Sequence, residues 1–185
     1  MALVSTREAW GGVTVTLHWL VASLIVVLAS VGWYMKGLPN TPGKVAVYAL
    51  HKSTGLTVLA LMLLRIAWRL YERARPAPPP GMPAWQLRAA TVTHALLYVA
   101  LLAMPISGWL FNSAANFPLR WFGLFAVPAL SGPDPALKAA AGFAHLFGFW
   151  SIAVLFTVHV AAALDHHFRI GDEVLRRMWW RGGTT

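Results

Sequence analysis

Residues 139–164 read AAAGFAHLFGFWSIAVLFTVHVAAAL, a stretch with no Asp, Glu, Lys or Arg. Crossing the hydrocarbon core of a bilayer takes about 20 mostly apolar helical residues, so this segment is long enough to span. It also carries His145 and His159, fourteen positions apart. At about 100° and 1.5 Å per residue, the two point within about 40° of each other and lie about 21 Å apart along the axis. One face of one helix therefore presents an imidazole at each of two depths.

Three further stretches have the same character. No formal charge lies between Glu8 and Lys36, Val45 to Leu64 holds only Lys52, and Ala89 to Leu119 is uncharged. The expected fold is an all-α membrane protein, a single four-transmembrane-helix domain with helices at about 13–36, 45–71, 87–111 and 139–168. Pro105, Gly108 and Asn112 end the third helix near Phe111 in this reading. Breakers separate the spans: Gly37 to Gly43, and the proline-rich Arg75 to Pro83. The connection from Asn112 to Lys138 carries Phe117, Trp121, Phe122 and Phe125, rings that favour the headgroup level. The first apolar run is too long for a cleaved signal and reads as a retained membrane helix.

Composition agrees. Of 185 residues 58% are hydrophobic and 11% charged, against about 25% charged in soluble domains. The net charge of +9 is not gathered on one polar face, so nucleic acid is not an expected partner; contact with anionic lipid is. The absence of cysteine excludes disulfides, iron–sulfur clusters, thiolate zinc sites and covalent c-type haem. Ten Lys and Arg fall at Arg7, the second connection and the tail including Arg181, and five at Lys36, Lys44, Lys52, Arg120 and Lys138. The positive-inside rule then places both termini in the cytoplasm.

Five histidines fall inside predicted spans: His18, His51, His94, His145 and His159. Ionisable groups at membrane depth are costly and point to function. Depth sorts them into an outer pair, His51 and His145, and an inner triplet, His18, His94 and His159. Axial ligation of two stacked haems by histidine pairs accounts for this pattern and would carry electrons across the bilayer. A zinc site lacks a carboxylate or thiolate partner, and a proton relay lacks Asp or Glu within the spans. Gly55 and Gly148, each one turn beyond a histidine, fit either close helix packing or clearance for a flat macrocycle. Which member of the inner triplet is not a ligand stays open at this point.

The chain resembles the bacterial cytochrome b561 family and, more distantly, the cytochrome b subunits of nickel hydrogenases and formate dehydrogenases. The likeness rests on His18-Trp19-Leu20, on His51-Lys52-Ser53-Thr54-Gly55 running into Leu63 to Leu70, and on His145 with His159 to His167. It implies two haem b groups, held by His18 with His159 and by His51 with His145, and it sets His94 aside. It also implies quinone, ubiquinone above all, as electron acceptor. Arg65 and Arg69, on one helix face, are candidates for haem propionate or quinone contacts, with membrane-edge anchoring as the plain alternative. His166 is the single best quinone candidate. Short stand-alone members are similar to a superoxide:ubiquinone oxidoreductase, and the outer charge of five Lys and Arg against Asp134 suits a small anion. Lys52 is then the candidate steering residue. The alternative is a relay subunit docked on a separate dehydrogenase or hydrogenase. Oligomeric state and physiological donor are not legible.

Overall fold

The computed structural model describes residues 2–179; Arg181 lies outside the described residues. Four long helices form: α1 (Gly12–Lys36), α2 (Pro42–Tyr71), α3 (Ala84–Ala114) and α4 (Pro135–Asp165). All four are long and apolar enough to cross a membrane. Pro42 and Pro135 open α2 and α4, where a missing N–H costs nothing. The Asp134 carboxylate caps α4 by accepting from the Ala136 and Leu137 amides at 2.9 and 3.0 Å. A π-helical turn, His166–Ile170, extends α4 and is closed by Gly171 at φ 75°, a left-handed conformation suited to glycine.

Two features differ from the sequence reading. Helix α3 passes Pro105 and Gly108 and runs to Ala114. Its last turn is held from outside: Asn112 and Ser113 are buried and hydrogen-bond the following loop through Phe117 and Leu130. That loop is also not irregular throughout. Strands β1 (Arg120–Trp121) and β2 (Phe125–Ala126) pair as a small antiparallel hairpin, with Phe122 and Gly123 at positive φ.

The helices alternate in direction. Glu72 at the end of α2 bonds Ser5 and Thr14 near the start of α1, and Trp19 of α1 bonds Met178 beyond α4. Ser5 and Met178 thus lie at one end of the bundle, and the hairpin lies at the other, against α2. The core is narrow: Val21, Val58, Met62, Leu101 and Ile152 pack across all four helices. Outside it, Val27, Leu63, Val99, Phe143, Phe147 and Val154 are exposed, a surface matched to lipid rather than water.

Candidate functional site

A seven-residue rhythm builds the interior. Seven residues are almost two helical turns, about 10.5 Å of rise on nearly the same face. The inward seams read His18–Ile25–Gly32 on α1, His51–Val58–Arg65 on α2, His94–Leu101–Gly108 on α3 and His145–Ile152–His159 on α4. The middle members belong to the core or pack on it. They separate two polar levels. His18, Arg65, His94 and His159 share the level at the terminal end. His51 and His145 share the other with Gly32 and Gly108.

At the hairpin end the rings of His51 and His145 stand 6.4 Å apart at 77°. Neighbouring helices leave them room by having no side chain there. A Cβ on Gly32 would come within 3.1 Å of the His51 ring, and one on Gly108 within 2.9 Å of the His145 ring. His145 Nδ1 donates to the Met104 carbonyl at 3.0 Å, which leaves Nε2 as the nitrogen with a free lone pair. Gly55, one turn beyond His51, faces open space, whereas Gly148 packs on Met104. Clearance describes the first glycine and packing the second.

At the terminal end the rings of His18 and His159 are 6.1 Å apart at 70°. His94 is 5.1 Å from His159. Two imidazoles that would hold one metal ion between them, with about 2 Å per metal–nitrogen bond, would have ring centres about 6 Å apart. The His18–His159 and His51–His145 spacings match that; the His94–His159 spacing is too short. Among the described residues no three His, Cys, Asp or Glu side chains converge as a metal cluster. The spacings of the two couples fit a haem held between two histidines at each level.

The level at the terminal end is also cationic. Arg65 Nη2 donates to His18 Nδ1 at 3.0 Å, so the neutral ring carries its proton on Nε2. A metal held through Nε2 would need the ring proton on Nδ1, and the guanidinium would then have to give up this hydrogen bond. Arg65 and Arg69 both lie over the Tyr98 ring, at 5.5 and 5.7 Å. Among the described residues neither is paired with a carboxylate.

Lys52 is not a free cation. Its ammonium donates to Asn112 Oδ1 at 3.0 Å, and the Asn112 amide donates in turn to the Phe117 carbonyl. The next residue, Ser53, is fully buried. Its hydroxyl accepts from the Phe122 amide at 2.9 Å and donates to the Arg120 carbonyl. The Trp121 indole donates to Thr57. The hairpin is thus pinned to α2 directly beside His51.

The terminal end is closed by chain. Glu72 is buried and accepts from the Ser5 amide, the Ser5 hydroxyl and the Thr14 hydroxyl, each at 2.8 Å. Burial alone pushes its pKa up, but the hydrogen bonds from Thr14 and Ser5 outweigh it and hold the carboxyl below its ordinary value. His166 pairs with Asp172 across the π turn. Sequence reasoning did not single out Gly32, Glu72 or Asp172; it read Gly108 and Asn112 only as helix-ending residues and Ser53 only as part of a motif. The heptad spacing from His18 and His94 was the available signal for the two glycines.

Residues 9–181 match the model of the prokaryotic cytochrome b561 family. Cytochrome b561 homolog 2 of Escherichia coli (strain K12) is 34% identical over 179 residues, 96% of this chain and 95% of its own length. Cytochrome b561 homolog 1 of the same organism is 29% identical over 171 residues, 88% of this chain and 92% of its own. A probable superoxide oxidase of Yersinia pestis is 28% identical over 162 residues, 88% of this chain and 90% of its own.

Proposed function

The chain belongs to the prokaryotic cytochrome b561 family, and from that premise we propose that it holds two haem b groups and passes electrons from superoxide at the hairpin end to ubiquinone at the terminal end. The observation that carries this reading is the pair of imidazole couples, 6.1 and 6.4 Å between ring centres, on two levels of one bundle. His18 with His159 and His51 with His145 are the residues that would hold the two groups. When bound, haem b supplies one-electron carriage between the two faces.

The chain's own residues do the rest. His145 is held in one tautomer by Met104, which fixes the nitrogen offered for ligation. Arg65 and Arg69 are cations at membrane depth without a carboxylate partner among the described residues, and haem propionates are the anions we assign to them. The core of Val58, Leu101 and Ile152 keeps water out of the space between the levels. The excess of Lys and Arg at the terminal end supports a cytoplasmic location for it in the inner membrane.

In the overall reaction two superoxide anions each lose one electron to become dioxygen, and one quinone takes both electrons and two protons. The name of the Yersinia pestis relative and the basic hairpin end support superoxide as donor. The test is the purified chain in nanodiscs supplied with enzymatically generated superoxide and a short-chain ubiquinone. Quinol formation that superoxide dismutase abolishes is expected. Inactivity of the isolated chain, restored by a co-purifying dehydrogenase, would instead establish a relay subunit.

A further inference from the structure

His166 follows His159 by seven residues, so it continues the α4 seam about 10 Å beyond the inner pair. The helix widens there into a π turn, a geometry frequent at functional sites. The turn returns on itself: the Gly171 and Asp172 amides both donate to the His166 carbonyl. This brings the Asp172 carboxylate to the His166 ring, Oδ2 to Nδ1 at 2.5 Å. Its other oxygen accepts from the Val174 amide at 2.9 Å, so the carboxylate is fixed at both atoms. Both side chains are largely buried, at 13% and 16% exposure.

Beyond Asp172 the chain crosses under the bundle to α1. Trp19 donates to the Met178 carbonyl at 2.6 Å, beside His18. Residues 172–178 therefore bridge the same two helices that carry His18 and His159. The His166–Asp172 couple sits where this strap leaves α4.

We propose that Asp172 is a positioning residue that makes His166 the proton donor for quinone reduction at this end. The inference rests on the proposed quinone reaction. An ionised carboxylate has no proton, so the shared one is on Nδ1, and Nε2 is the nitrogen that exchanges. As imidazolium, His166 gives its Nε2 proton to a quinone oxygen as that quinone accepts an electron. The neutral ring keeps its Nδ1 proton, hydrogen-bonded to Asp172, and regains the other from cytoplasmic water. Two such cycles deliver the two protons that accompany the two electrons of quinol formation. Asp172 sets the tautomer and holds the ring in one orientation, as an orienting carboxylate does for a catalytic histidine.

The test uses the haem-loaded full chain in nanodiscs with Asp172→Asn, Asp172→Glu, His166→Gln and the double variant D172N/H166Q. Asp172→Asn is expected to lower kcat for ubiquinone-1 reduction by about a hundredfold or more, with KM and haem spectrum unchanged. Asp172→Glu is expected to recover part of the loss, and D172N to cost nothing further in the His166→Gln background. Nitrogen NMR of labelled histidine is expected to show the Nδ1–H tautomer of His166 in the wild type and its loss in D172N. Wild-type kcat in D172N, or an equal further loss in the double variant, overturns the proposal. A wild type whose haems reduce but pass nothing to ubiquinone-1 overturns the functional reading as well.

Discussion

At Glu72 one carboxylate ties the end of α2 to Ser5 and Thr14 through three hydrogen bonds. Because its folded pKa lies below the ordinary value, the stabilisation is complete above the unfolded value near about 4.3. It is lost as the pH falls through the folded pKa. Replacing Glu72 by Gln is expected to cost about 1–3 kcal/mol near neutrality and to flatten the acid limb of a Tm-against-pH curve. Parallel acid limbs for wild type and variant would contradict this. Glu72 was illegible in the sequence, since a lone acid after a span looks like any solvated loop charge. The histidines were legible for the opposite reason, as ionisable groups inside long apolar runs with hardly any other charge. Gly32 and Gly108 fell between: as residues they signal only close packing, and their meaning lies in the imidazole facing each one.

The helices as elements followed from runs of apolar residues long enough to span. Their ends did not. α3 continues past Pro105 because its last turn bonds a loop that folds back on it, a tertiary effect with no local mark. The hairpin was hidden too, since strands of two residues leave no alternating pattern to read. Ser53 is its latch, so Ser53→Ala leaves the Phe122 amide and the Arg120 carbonyl without that partner. The expected cost is about 1–3 kcal/mol, localised to this element. Hydrogen exchange is expected to accelerate across residues 117–127 while α1 and α4 keep their protection. Unchanged exchange in the hairpin would remove Ser53 from this role.

For the whole molecule, charge and ligand geometry define two different ends. The hairpin end carries Lys36, Lys44, Lys52, Arg120 and Lys138 against Asp134, a field suited to drawing in a small anion. Lys52→Glu is expected to slow superoxide-driven quinone reduction several-fold at low salt. The difference should shrink as ionic strength rises, with haem content unchanged. A rate insensitive to salt in both proteins would argue against steering. The sequence showed the charge imbalance but not that Asn112 holds Lys52 in place. It showed two depths of histidine but not their pairing, which depends on four seams meeting at common levels. The central claim is that His18 with His159 and His51 with His145 each hold a haem. A pyridine haemochrome assay of haem per chain, on wild type and single alanine variants of the five histidines, tests it most directly. Two haems in wild type and in His94→Ala, and a loss in each of the other four, is the predicted result. A wild-type chain with fewer than two haems, or a loss in His94→Ala equal to the others, would contradict the account.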